Sequence, residues 1–194
     1  MTVRCIHNSI FNSCTYVLAG DEGSWLVDCG DAGQVGRYVQ GELRGILLTH
    51  AHYDHIYGMN EVLRRWPAAV VVTNTAGQAM LQDAKKNLSF YHETPMVIDC
   101  PENIQVVAGN DTLPLMDGVA CQVAATPGHN ASCLTYVLDG CIFTGDSYIP
   151  GVKVVTNLPG GNRQLAADSL SKILTLAEGK TIYPGHFLEE NNTL

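Results

Sequence analysis

The stretch Thr49-His-Ala-His-Tyr-Asp-His-Ile constrains this chain more than any other part of it. It reads H-x-H-x-D-H and places four ligand-type side chains, His50, His52, Asp54 and His55, within six residues. It follows directly on the apolar run 45–48, which reads as a short buried strand. A strand end delivers side chains rigidly to one rim of a sheet, and several such ends can converge on an ion. In a loop, His50 and His52 can point one way while Asp54 and His55 point another. That arrangement suits two adjacent ions better than one. Imidazole and carboxylate fit zinc foremost, with iron or manganese also suited, and the absence of a thiolate motif argues against a closed structural zinc site.

Three later segments add one candidate each. Thr126-Pro-Gly-His129 follows an apolar run at 121–125, Phe143-Thr-Gly-Asp146 ends another, and Tyr183-Pro-Gly-His186 ends the last. All share one design: strand, glycine, ligand. Glycine permits a sharp turn with positive φ and a close backbone approach. Asp146 is suited to bridge two cations, because a carboxylate offers two oxygens. Each motif alone is weak, and a lone aspartate there is more often a turn residue.

The rest of the chain reads as an ordinary globular protein. Its 194 residues are 46% hydrophobic and 15% charged, enough for one domain, 1–194, that buries roughly 70% of its unfolded surface. The net charge of −8 argues against a nucleic-acid partner, which demands a basic face, and gives no reason to expect an anionic membrane surface. A small-molecule substrate is the expected partner, and nothing fixes an oligomeric state. No apolar run approaches the ~18 residues that span a bilayer, and the start does not read as a signal peptide, so a cytoplasmic location is expected. The seven cysteines form no CxxC and mostly lie in apolar runs, as small buried hydrophobes in a reducing compartment do.

Periodicity and turn residues give a coarse order. Runs 14–19 and 25–29 flank Gly20-Asp-Glu-Gly23 as a hairpin, and 30–41 reads as helix or loop. Helix is expected over 60–66, stopped by Pro67, and over 75–86 with Thr75 as N-cap. Strands are expected at 69–73, 105–108, 121–125, 133–138, 141–144 and 181–183, with turns at Asp117-Gly118 and Asp139-Gly140. An amphipathic helix covers 164–178. The polar stretch 83–95 reads as a loop or lid. Two strand-rich halves, each with helices, predict sheets packed face to face with helices outside.

The set THAHYDHI, TPGH, FTGD and YPGH, in this order, resembles the metallo-β-lactamase-fold superfamily from about residue 14 to 186. The resemblance implies an α+β fold, an αββα sandwich of two mixed sheets with helices on both outer faces and metals at one edge. It assigns one metal to His50, His52 and His129 and a second to Asp54, His55 and His186, with Asp146 bridging. An aspartate at 146 resembles the glyoxalase II type, since true β-lactamases typically carry Cys or Ser there. Asn87-Leu-Ser, Pro95 and Leu158-Pro-Gly-Gly are similar to compact glyoxalase II-like proteins, which lack the C-terminal helical domain that binds glutathione in the larger enzymes; the chain ends eight residues after His186. Departures fall at Tyr57-Gly58 (family Gly-Gly), Asn130 (commonly Thr), Val154-Val-Thr-Asn157 (family Gly-Arg-Thr-Asp) and Phe187-Leu188.

Two divalent cations lower the pKa of a shared water and make a hydroxide. The expected reaction is attack of that metal-bridging hydroxide on a thioester- or ester-type carbonyl, or on a phosphoryl group. Asp54 is the expected orienter or proton acceptor. Tyr148 is a candidate oxyanion donor or else a packing residue. Lys153 and Arg163 are candidates for a substrate carboxylate or else solvated surface. His7 and His92 carry no motif. A different enzyme class on the same fold, an iron-dependent persulfide dioxygenase or other oxidoreductase, is the alternative. The complete second set weighs against a mononuclear dioxygenase, and the lack of a flavin-binding domain weighs against a di-iron reductase.

Overall fold

Among the described residues eleven strands form two sheets, and the burial of alternate residues shows why they stack. The computed structural model describes residues 1–116, 118–138 and 140–187. The first sheet is built from β1 (Thr2–His7), β2 (Cys14–Gly20), β3 (Gly23–Val27), β4 (Leu43–Leu47), β5 (Val70–Thr73) and β6 (Ile104–Val106), in that spatial order. The hairpin strands β1 to β3 pair antiparallel, and β3 to β6 run parallel. The second contains β7 (Thr112–Met116), β8 (Val119–Ala125), β9 (Leu134–Leu138), β10 (Cys141–Gly145) and β11 (Thr181–Pro184), ordered β11-β10-β9-β8-β7. Only β10 and β11 pair parallel in it.

Side chains alternate across a strand, so β2 to β5 of the first sheet serve two cores. Leu18, Trp25, Val27, Leu47 and Val72 face Val123, Leu134, Tyr136 and Phe143 of the second sheet. Val17, Leu26, Ile46 and Val71 face the other way, onto Val35, Met59, Leu63 and Leu81. Those last four lie on or beside α1 (Ala32–Val35), α2 (Met59–Arg65) and α3 (Thr75–Leu81). On the opposite outer face, α4 (Arg163–Leu176) packs Ile173 against Val137 and Ile142. The layers are therefore α, β, β, α, as expected. Tyr136 ties the sheets together: its hydroxyl lies 2.9 Å from the Leu48 carbonyl and 3.1 Å from that of Val72.

Several local expectations change. The run 30–41 contains only the short α1. Helix α3 stops at Leu81 and is capped by Asn74, whose side chain accepts from the Gly77 amide at 2.8 Å. Thr75, expected as the cap, is its first helical residue. Strands β1 and β7 were not expected. Both lie at sheet edges, where a charged residue such as Arg4 or a proline such as Pro114 is tolerated and the apolar alternation is weak. Of the turn residues, Asp117 and Asp139 lie outside the described residues. Segment 83–95 is an internally tied loop, with Asn87 and Ser89 hydrogen-bonded to the Met96 backbone at 2.8–3.0 Å. No disulfide joins any of the cysteines, all seven of which lie among the described residues; Cys5 is exposed, Cys100 half-buried and the others buried.

Candidate metal centre

The sequence-predicted ligands arrive from one rim of the sandwich. The loop after β4 brings His50 and His52, then a 3₁₀ turn at Tyr53–His55 brings Asp54 and His55. His129 follows β8, Asp146 follows β10 and His186 follows β11. Parallel pairing makes this convergence possible, because parallel strands place their C-terminal ends on the same edge. Two glycines make room. Gly145 adopts φ +50° with its backbone against Thr49. Gly185 has no left-handed turn; it is small because a Cβ there would collide with Asp146 Oδ1.

The seven side chains gather into three overlapping sets: His50, His52 and His129; His50, His55 and Asp146; and Asp54, His55 and His186. Within each, one donor atom per residue lies within 4.8 Å of the others. Donors about 2.0–2.2 Å from a common cation have separations of this order. Asp146 stands between the outer sets. Its Oδ2 is 3.5 Å from His129 Nε2, 3.9 Å from His50 Nε2 and 3.3 Å from His186 Nε2, and its Oδ1 is 3.5 Å from His55 Nε2. Asp54 Oδ2 lies 3.3 Å from both His55 Nε2 and His186 Nε2.

Hydrogen bonds behind the cluster fix which ring nitrogen faces it. His129 Nδ1 donates to the Val155 carbonyl at 2.8 Å, and His186 Nδ1 to that of Phe11 at 2.8 Å. His55 Nδ1 donates to Asp28 Oδ2 at 2.9 Å. The Thr49 hydroxyl donates to the same Asp28 oxygen at 2.7 Å and accepts from His50 Nδ1 at 3.2 Å. These four rings therefore turn Nε2 toward the cluster, the nitrogen that the neutral tautomer leaves open to a cation. His52 is turned the other way, with Nδ1 2.8 Å from His129 Nε2 and Nε2 accepting from the Asn130 amide at 3.2 Å.

Cations fit this cage on an internal criterion. His50 Nε2 and Asp146 Oδ1 are buried without a hydrogen-bond partner, which is costly unless something else satisfies them. The electrostatics agree. Burial, then the neighbouring His55, pushes His50 well below the usual imidazole range, and burial followed by His129 pushes His52 down to about 4. Burial opposes charge on Asp146 and Asp54 too, but the surrounding imidazoles, His50 first for Asp146 and His55 first for Asp54, hold both carboxyls low. Burial likewise opposes charge on His55, yet Asp54, Asp28 and Asp146 raise it well above the imidazole range.

A sequence model described as the metallo-beta-lactamase superfamily matches residues 10–186, from the turn before β2 to the last of the seven ligand-type residues. The chain belongs to the metallo-β-lactamase superfamily. Within it, a hydroxyacylglutathione hydrolase of Hydrogenovibrio crunogenus is 30% identical over 87% of this chain and 55% of its own length. A probable metallo-hydrolase of Streptococcus pyogenes is 29% identical over 92% of this chain and 81% of that protein. The chain thus spans little more than half the hydroxyacylglutathione hydrolase it matches. Among solved structures, the BLEG-1 B3 metallo-β-lactamase superposes with a TM-score of 0.84 at 26% identity, covering 96% of this chain and 92% of that one. ETHE1 from Myxococcus xanthus gives 0.74 at 26% identity, covering 98% and 78%. No helix among the described residues is long and apolar enough to cross a membrane.

The superfamily departures have distinct places. Asn130 touches His52, and Val155 holds His129 through its carbonyl. The Tyr57 hydroxyl is bound to Asp31 and, at 3.3 Å, to Ser9. Phe187 stacks on His7 with ring centres 4.1 Å apart, and His92 lies against Tyr53 at 4.2 Å. Tyr148 packs beside Val137, Ile142 and Ile173 and lines a cleft with Lys153 and Arg163. Sequence reading missed Asp28, which is fully buried and joins His55 to Thr49. Its only local signal is a carboxylate directly after the apolar run of β3. Its positive φ of 59° is uncommon for a non-glycine residue.

Proposed function

We propose that this chain is a dinuclear metal-dependent hydrolase acting on a small thioester- or ester-type substrate. The carrying observation is the position of Asp146, whose two oxygens face both outer ligand sets. In this reading His50, His52 and His129 would hold one ion, Asp54, His55 and His186 would hold the other, and Asp146 would serve both. Zinc suits the imidazole and carboxylate donors, as do iron and manganese. Two such cations would supply a nucleophile from water at neutral pH and Lewis acidity toward the substrate carbonyl.

The chain's own residues do the rest. The outward hydrogen bonds of the histidines fix their rings, so little reorganisation accompanies ion or substrate binding. In this reading Asp54, whose Oδ2 lies beside both His55 and His186, would orient the attacking water and take its proton. Tyr148, set in an apolar cluster, is assigned to the cleft wall. The similarity to hydroxyacylglutathione hydrolases supports the thioester class, although the superfamily departures at 154–157 alter the wall beside His129.

The test is metal content followed by a panel of thioesters, lactones and phosphodiesters. About two zinc per chain with thioester or ester turnover supports the reading. Asp146→Ala should lose metal and turnover together. One iron per chain with oxygen uptake on a persulfide would establish the alternative oxidoreductase instead.

A further inference from the structure

Beside the ligand cluster, a cleft of about 270 Å³ runs between the segment after Asp146 and helix α4. Val152, Val154, Ala167 and Leu170 give it an apolar lining, and Lys153 and Arg163 also line it. A small pocket formed by His129 and Asp146 shares Val152, Lys153 and Val154 with this cleft. The cleft and the cluster are therefore neighbours, with Val152, Lys153 and Val154 lining both.

Two features of the cleft specify an occupant. First, the cleft leaves aliphatic surface open next to the cluster: Val152, which lines both the cleft and the pocket of His129 and Asp146, is 39% exposed. Exposed aliphatic groups lining a concave site gain by covering an apolar ligand. Second, the chain is strongly acidic, with 19 acidic against 11 basic residues, yet both charged residues of the cleft are cations. Among the described residues neither Lys153 nor Arg163 makes an ion pair within 4.0 Å. They are complementary to an anion.

We infer that this cleft takes the acyl arm of the substrate, and that the arm is an apolar chain ending in a carboxylate held by Lys153 and Arg163. This rests on the hydrolase reading above. The reaction balances without a further reagent: water adds to the acyl carbonyl, the carbon–sulfur bond breaks, the thiol leaves with a proton, and a dicarboxylate remains.

The experiment compares thioesters of N-acetylcysteamine carrying acetyl, octanoyl and suberyl groups, the last ending in a carboxylate, on metal-loaded protein. Suberate binding is measured separately by calorimetry. Burial of methylenes predicts that octanoyl exceeds acetyl in kcat/KM by about tenfold or more. Solvent-exposed charge pairing predicts a further gain of a few-fold for suberyl. Ala167→Trp, a change on the exposed side of α4, should collapse the octanoyl-to-acetyl ratio. Lys153→Met with Arg163→Met should collapse the suberyl-to-octanoyl ratio. Both should weaken suberate binding.

Turnover without chain-length preference, a preference that survives Ala167→Trp, or a suberyl advantage that survives the double variant would overturn the inference while leaving the hydrolase reading intact. If no thioester is cleaved but suberate binds and Ala167→Trp weakens it, the thioester part of the hydrolase reading falls and the assignment of the cleft as a carboxylate site stands. Neither cleavage nor binding would remove both.

Discussion

Asp28 accepts a hydrogen bond from His55 across 2.9 Å, with both side chains essentially sealed from solvent. Strand β3 thereby decides which nitrogen of a ring from the loop after β4 faces the cluster. The same carboxylate takes the Thr49 amide and hydroxyl at 2.7 Å each, so one residue holds two turns of the ligand loop.

Asp28→Asn should therefore weaken metal binding although the residue is not among the proposed ligands. Losing such a partner typically costs about 10–100-fold in affinity. The loss should fall on the ion held by His55 more than on the ion held by His52 and His129. Stepwise calorimetric titration of metal-free protein checks this; two equally weakened steps would contradict it.

Gly185→Ala tests the crowding at Asp146. The added methyl group would strike Asp146 Oδ1 and come within 2.9 Å of the Gly145 carbonyl carbon. The expected result is protein that still unfolds cooperatively but retains little bound metal after dialysis. Gly33→Ala, where an added Cβ meets nothing within 4 Å, is the control and should keep its full metal content.

The two ligand sets should part on acidification. Metal needs unprotonated imidazole. The folded protein disfavours protonation of His50 and His52, with His52 down to about 4, so protons compete poorly for that set until the medium is quite acidic. His55 and His186 have the opposite sign: neighbouring carboxylates outweigh burial and raise both, so protons compete at higher pH. Metal analysis after dialysis from about pH 7 down to about pH 4 should show the Asp54, His55 and His186 ion leaving first. Loss of both ions in a single step would count against two separate sets.

Tyr136→Phe isolates the link between the sheets. It removes the hydroxyl that reaches Leu48 and Val72 while keeping the ring in the core. A net cost of about 0.5–1.5 kcal/mol follows for such hydrogen bonds, which is roughly a 1–6 °C fall in Tm at this size. Because Leu48 leads directly into Thr49 and His50, metal content measured beside thermal unfolding shows whether the loop also shifts.

Much of the site is legible in the sequence because its ligands are local punctuation. His50, His52, Asp54 and His55 share one turn, and His129, Asp146 and His186 each close a strand after a glycine. Asp28 is not legible in the same way. It sits in no motif, and its partners, Thr49 and His55, are 21 and 27 residues away. The Asn74 cap was missed by one position because Asn and Thr are both good caps and only the hydrogen bond to Gly77 chooses between them. Strands β1 and β7 were missed because edge strands are half solvated and do not need strict apolar alternation.

The sequence by itself determined the donor chemistry, the apolar runs that carry it and the resemblance to the superfamily, since spacing within a turn and burial of alternate residues are short-range matters. Only the tertiary structure brought the seven residues of the opening motif and its three successors together. Parallel pairing of β3 with β4 and of β10 with β11 sets distant strand ends on one rim, and Asp146 falls between the two outer sets because Gly185 leaves room for it. Those contacts join residues far apart in the chain, so their distances follow from sheet register and packing, which no local spacing encodes.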